Sequence, residues 1–137
     1  LRILCLDYGE KRIGAAICDE LGITAQGLPT IIRKSKRHDG DILGNLIKSY
    51  NVEKIVIGYP VRLDGSEGIQ CEKVNRFSTL LIKTFSLPVI KWPETLSTKE
   101  AEEILINSGI RWEKRKKMVD KMAACLILQS YLDSIAK

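Results

Sequence analysis

The residues Ile3-Leu-Cys-Leu6 form an unbroken apolar run, and a carboxylate, Asp7, closes it. A short run without polar alternation is the pattern of a strand covered on both faces. Tyr8-Gly9 turns the chain, and a second apolar run, Ile13 to Ile17, follows almost at once. Asp7 therefore stands at the tip of what should be the central strand. A charge buried there is costly unless it is paired or bound to a metal. The fold has to cover both faces of this strand and find a partner for its acid.

Further along, the pattern predicts strand 1 at Arg2–Asp7, strand 2 at Ile13–Cys18 and strand 3 near Leu28–Ile32, with a turn at Asp19-Glu-Leu-Gly22. Three strands on short loops suggest an antiparallel meander. Ile42, Leu43, Leu46, Ile47 and Tyr50 then follow helical spacing, which predicts a helix over Asp41–Tyr50. Lys54–Tyr59 reads as a short strand closed by Pro60. Asp64-Gly-Ser66 reads as a turn feeding a helix whose buried stripe is Val74, Phe77, Leu81 and Phe85, with Leu80. Pro88-Val-Ile90 is a brief strand. Ser97 and Glu100 make a capping box opening a helix with Ala101, Ile104 and Leu105, which Gly109 ends. Met118–Ala136 is the last helix, and its middle, Met122 to Leu128, is apolar nearly all round. A meander followed by alternating helices and strands predicts an α/β fold. Its mixed five-stranded sheet has strands 1–3 antiparallel and the later ones parallel, with helices on its faces.

At 137 residues, one domain over 1–137 is expected. No apolar run has transmembrane length and no signal pattern opens the chain, so the expected setting is the cytoplasm, without a membrane partner. The four cysteines, Cys5, Cys18, Cys71 and Cys125, make no C-x-x-C pair and read as buried free thiols, not as zinc ligands or a disulfide framework. The single histidine, His38, rules out a His-rich metal site, and a Ser-His-Asp triad would depend on this one loop residue. Carboxylates are the tools left for an enzyme. The net charge is +5, and cations gather in two stretches: Arg33, Lys34, Lys36 and Arg37, and then Arg111, Lys114, Arg115, Lys116 and Lys117 against Glu113. Such clusters suit a polyanion, most often nucleic acid, although solvated loops share the pattern.

Three acids stand where acids do not help folding. Asp7 ends the first strand, Glu94 follows Pro88–Ile90, and helical spacing aligns Asp120 with Ala123, Ala124, Ile127 and Leu128. Three converging carboxylates repel one another unless a divalent cation sits among them. Mg²⁺ takes oxygen ligands and substrate phosphate oxygens, and paired ions serve phosphodiester cleavage. Pairing of Asp7 and Asp120 with Lys or Arg, or a helix-capping role for Asp120, are the alternatives.

Four ordered blocks carry a resemblance: Leu6 to Ala16 (LDYGEKRIGAA), Val56 to Gly68 (VIGYPVRLDGSEG), Glu94 to Glu102 (ETLSTKEAE) and Asp120 to Gln129 (DKMAACLILQ). Together they resemble the YqgF/RuvX family, named for Holliday junction resolution and regarded as pre-16S rRNA nucleases. The resemblance implies a ribonuclease H-like fold, with Asp7, Glu94 and Asp120 as catalytic and metal-binding residues for Mg²⁺ or Mn²⁺. It also implies nucleic-acid contacts by Lys11, Arg12 and the cations Arg111, Lys114, Arg115, Lys116 and Lys117. Gly9, Gly14, Gly58, Gly65 and Ser66 would shape the cleft, with Asp64 a turn residue. The expected activity is metal-dependent cleavage of structured nucleic acid, namely the 5′ end of precursor 16S rRNA on pre-ribosomal particles, by a monomer or weak dimer. A resolvase of four-way DNA, which needs a dimer, and a non-cutting binding module are the alternatives. Pro93 and Thr95 depart from the family's acid-Glu-Arg-Leu run, which alters substrate contact beside Glu94. An actin-like ATP site is set aside for want of a second domain. Trp112 is a candidate for base stacking or for core packing.

Overall fold

A computed structural model describes residues 2–61, 66–94, 106–107, 109 and 112–136. The expected Ser97–Glu100 capping box, the helix through Ala101 and Leu105, and the turn residues Asp64 and Gly65 lie outside the described residues. The elements are β1 (Arg2–Tyr8), β2 (Arg12–Cys18), β3 (Ala25–Ile32), α1 (Lys36–Ser49), β4 (Val52–Tyr59), α2 (Ile69–Phe85), β5 (Val89–Pro93) and a last helix, α3 (Trp112–Ile135). The sheet order is β3-β2-β1-β4-β5. β1 pairs antiparallel with β2, and β2 with β3; β4 runs parallel to β1, and β5 parallel to β4. This is the mixed sheet expected from the sequence, with β1 at its centre.

The period of two along each strand sorts side chains into two cores. Leu4, Leu6, Ile13, Ala15, Ile17, Ile55 and Ile57 face α1 and α2, where Leu43, Val74, Phe77 and Leu81 meet them. Ile3, Cys5, Ala16, Cys18 and Val56 face α3, which contributes Ala124, Ile127, Leu128, Tyr131 and Leu132. β1 is thus covered on both sides, as its unbroken apolar run requires.

Several boundaries differ from expectation, each for a local reason. β3 begins at Ala25, not Leu28, because it is an edge strand whose exposed Gln26 and Gly27 hide the apolar pattern. Gln129 of α3 secures its start, accepting from the Ala25 N–H at 3.0 Å and donating to the Ile23 carbonyl at 2.9 Å. α1 begins at Lys36, not Asp41. Ser35 caps it, its hydroxyl accepting from the His38 N–H at 3.1 Å, so a basic stretch read as loop forms the first helical turn. β5 runs on to Pro93, which an edge strand tolerates because no ladder bond there needs its N–H. α3 reaches back to Trp112, so the second basic stretch is helical from that residue. Leu80 was expected in the buried stripe of α2, but it is 43% exposed. The middle of α3 is buried on one face only: Met122 and Leu126 pack instead around Val119. Gly109 has φ 75°, the left-handed conformation suited to a helix stop. The four thiols are free, and Cys5, Cys18 and Cys71 are buried.

α3 lies close to the sheet where β2 and β3 carry glycine. A Cβ at Gly14 would sit 2.7 Å from the carbonyl carbon of Asp120 and closer still to its oxygen. At Gly27 the nearest atoms to a Cβ would be side-chain ones, the Lys121 stem and the Cys125 sulfur. Backbone cannot swing aside as a lysine stem can. Gly14→Ala is therefore expected to destabilise the fold by about 2–4 kcal/mol, and Gly27→Ala by less than about 1 kcal/mol. Urea midpoints at constant slope measure both, and equal losses at the two sites would contradict the backbone clash.

Candidate active site at the end of the central strand

Asp7 continues the Ile3, Cys5 alternation and so lies on the α3 face, near the end of β1. Its cross-strand partner is Gly14. The β2–β3 register shifts between Ile13 and Ala15, which puts Gly14 at an irregularity of the kind common beside active sites. Over Gly14 lies the backbone of Asp120. On the other side of β1, β4 carries Gly58, where a Cβ would sit 2.9 Å from Oε2 of Glu94 and 2.8 Å from Cδ1 of Ile127. Glu94 follows β5 directly, its N–H donating to the Tyr59 carbonyl at 3.1 Å. Two missing side chains, one on each strand neighbouring β1, thus make room for the two acids that flank Asp7.

Asp7 senses both of its acidic neighbours. Burial pushes the Asp7 carboxyl up to about 6; its hydrogen bond with Glu94 opposes that rise and the charge of Asp120 adds to it. A hydrogen bond between two carboxyl groups requires a proton on one of them. Below them, burial and then the charges of Asp7 and Glu94 hold the Cys5 thiol well above its ordinary range. Asp120 is met by Arg12, whose Nε donates to Oδ2 at 2.6 Å. The Arg12 guanidinium therefore offsets part of the negative charge.

Arg12 was expected to meet phosphate, and here it holds an acid of the cluster. Lys11 is exposed beside it in the β1–β2 loop. Gly9 opens that loop, donating its N–H to the Arg12 carbonyl at 2.9 Å. The loop is held by a residue that sequence reading treated only as part of a charge cluster. Arg33 Nη1 donates to the Gly9 and Glu10 carbonyls, both at 2.8 Å, and its guanidinium lies over the Tyr8 ring, 4.5 Å from the centroid. No sequence pattern marks this clamp; the β2–β3 pairing that sets Ile32 against Arg12 creates it. His38 pairs through Nδ1 with Asp39 at 3.0 Å on α1, on the other face of the sheet.

Of the remaining candidates, Ser66 is half-buried ahead of α2, and Gly65 and Arg111 lie outside the described residues. Lys114, Arg115, Lys116 and Lys117 belong to the turns of α3 that precede Asp120, and Lys114 is exposed. Carboxylate oxygens are the donor chemistry that Mg²⁺ and Mn²⁺ prefer. Among the described residues, no three acid, histidine or cysteine groups stand close enough to form a ready-made cation site. Asp7 and Glu94 meet directly, while Asp120 is turned to Arg12.

Comparison with known proteins gives a family and a fold. The sequence profile of RuvX, described as Holliday junction resolvase, matches residues 1–134. A protein of Syntrophus aciditrophicus (strain SB) named pre-16S rRNA nuclease is 64% identical over 137 residues, covering 100% of this chain and 91% of its own. One of the same name from Bacillus subtilis (strain 168) is 45% identical over 139 residues, covering 98% and 99%. Among solved structures, the chain is similar to Fowlpox virus resolvase in complex with Holliday junction DNA, with TM-score 0.59 at 13% identity and 100% of both chains covered. It is also similar to T. thermophilus RuvC with a Holliday junction substrate, with TM-score 0.56 at 11% identity, covering 98% of this chain and 94% of the other. At such identities the structural likeness concerns the fold, which is ribonuclease H-like.

The raised Asp7 carboxyl has a consequence for stability. A carboxyl that holds its proton to about 6 when folded, against an ordinary 3.8, favours the folded state fully below 3.8 and loses that advantage as pH rises through 6. In chelator, the parent chain should lose about 1–3 kcal/mol between pH 4 and pH 8 relative to Asp7→Asn. Asp7→Asn should be the more stable of the two at pH 8. Urea unfolding across that range reads the difference, and parallel profiles for the two chains would refute the raised value.

Proposed function

The chain belongs to the RuvX family of Holliday junction resolvases, and on that footing we propose that it is a metal-dependent endonuclease of structured RNA, cutting at the 5′ end of precursor 16S rRNA. The observation that carries the reading is the meeting of Asp7 with Glu94, with Asp120 and its partner Arg12 alongside, at the end of the central strand. The RNA substrate is supported by the names of relatives that are 64% and 45% identical over nearly the whole chain.

In this reading Asp7 and Glu94, with Asp120, hold Mg²⁺ or Mn²⁺, which would neutralise phosphate charge and activate water. The chain's own groups do the rest. Arg12 is able to hold either the Asp120 carboxylate or a phosphate oxygen, because a guanidinium offers a fork of donors to both. Lys11 adds charge at the same loop. The cations Arg111, Lys114, Arg115, Lys116 and Lys117 track the backbone away from the cut, so affinity falls steeply with salt. The work falls to a single catalytic domain spanning residues 1–137, in the cytoplasm, on pre-ribosomal particles. Among the described residues no helix is long and apolar enough to cross a membrane.

A second reading, resolution of four-way DNA, is favoured by the family's description. It requires two symmetric cuts and hence a dimer. Both are read in one experiment: a precursor leader and a four-way junction, each with Mg²⁺ and with Mn²⁺, against parent and Asp7→Asn. The expected outcome is metal-dependent cleavage of the leader that Asp7→Asn lowers by about a hundredfold or more, with leader binding held within about threefold. Full activity in Asp7→Asn would remove the site assignment. Preferred cutting of the junction by a dimer would replace the RNA reading.

A further inference from the structure

On the face of the sheet away from Asp7, α1 and α2 leave an open groove of about 570 Å³. Its floor is apolar, built from Leu43, Phe77, Leu81 and Phe85, and the exposed Leu80 lies at its side. Its rim is basic: Lys36 on α1 and Lys73, Arg76 and Lys83 on α2 all line it and are exposed. Asp39 is the one carboxylate among the described lining residues, and it is already engaged by His38 at 3.0 Å and by Arg33 at 3.9 Å. Gly40 is also in the lining, and an added Cβ there would meet nothing within 4 Å.

These features do not suit the polyanion expected at the acid cluster. A phosphate backbone gains from donors along its whole length and nothing from an apolar floor, and the Phe77 ring of that floor is already stacked on Tyr8, with centroids 4.1 Å apart. A second copy of this chain would bring its own +5 charge against a basic rim. What complements both parts is an amphipathic segment that lays apolar residues on the floor and carboxylates on the rim. The geometry points to the α1–α2 groove as a docking site for an acidic amphipathic helix of a partner protein.

The groove is not isolated from the rest of the molecule. Tyr8 and Arg33 line its end. Tyr8 is the residue after Asp7, and Arg33 holds the carbonyls of the loop that carries Lys11 and Arg12. A partner seated there touches the back of the strand whose front carries the acids.

The test uses the full chain and a fluorescein-labelled peptide of about four helical turns, with Leu at i, i+3, i+4 and i+7 spacing and Glu elsewhere. A control peptide replaces each Leu by Ser at equal charge, and a labelled oligouridine serves as the nucleic-acid probe. Gly40→Leu adds an apolar side chain at a lining position with open space and improves helix propensity, so a loss of binding is not a loss of fold. The Lys73→Glu/Arg76→Glu pair reverses the rim. The Leu/Glu peptide should bind at least about tenfold more tightly than the Ser control. Each variant should weaken it at least about tenfold, with an unchanged or higher melting temperature for Gly40→Leu and undiminished cleavage of the leader. Equal binding of the two peptides overturns the proposal, because charge alone then explains the affinity. Oligouridine binding that Gly40→Leu abolishes overturns it in favour of nucleic acid. A dimer dispersed by Gly40→Leu in sedimentation overturns it in favour of a self-interface.

Discussion

Helix α3 can approach the sheet to backbone contact because Gly14 carries no side chain, and the placement of Asp120 follows from that contact. Small residues continue the same seam: Ala16 and Cys18 on β2 face Ala124 on α3, with Ala123 also buried. Leu or Ile in place of Gly14 would lift the helix by a side chain's width and carry Asp120 away from Asp7. On the far side of β1, Gly58 does the same for Glu94. The acids converge because the strands beside them are cut away, and no strong attraction is needed to draw them in.

That convergence is unfavourable in itself, and among the described residues two contacts bear on it. One guanidinium, Arg12, meets Asp120, and Asp7 and Glu94 lie within hydrogen-bond reach of each other. A cation could replace either contact, and the cluster stays half-buried at the end of a strand whose residues Ile3 to Leu6 are fully covered. A salt bridge designed only for stability would give each acid its own lysine or arginine. Here Arg12 meets Asp120 while Asp7 lies buried against another acid, Glu94, an arrangement that makes sense when charge must be available to something that arrives from solution.

The sequence made the sheet legible because buried strands announce themselves by composition. Ile3–Leu6, Ile13–Ile17 and Ile55–Ile57 are apolar on both faces, so their existence and order followed directly. Elements with one wet face were harder. β3 carries Gln26, Gly27 and Pro29 on an exposed edge, and the first turn of α1 is basic, so both were read too short. The acids were legible for the opposite reason, since an isolated carboxylate after an apolar run is conspicuous. The pairing of Arg12 with Asp120 was not, because 108 positions separate them and only the Gly14 contact makes them neighbours. Nor was the Arg33 clamp, whose two acceptors are backbone carbonyls that carry no sequence signature.

β1 ends in two adjacent residues with opposite duties, and strand alternation is what separates them. Asp7 turns to the α3 face with the acids; Tyr8 turns to the α1–α2 face and stacks on Phe77, with ring centroids 4.1 Å apart. The same ring carries the Arg33 guanidinium, which in turn holds the loop leading to Arg12. Gln70 of α2 donates to the Tyr8 carbonyl at 3.0 Å, closing the circuit from the other helix. Asp7 therefore cannot shift along the strand without disturbing Tyr8, and Tyr8 cannot shift without breaking a stack, a cation–π contact and a hydrogen bond. An acid that must hold position against its neighbours' repulsion is kept there by the aromatic stack and cation–π contact on the reverse side of its own strand.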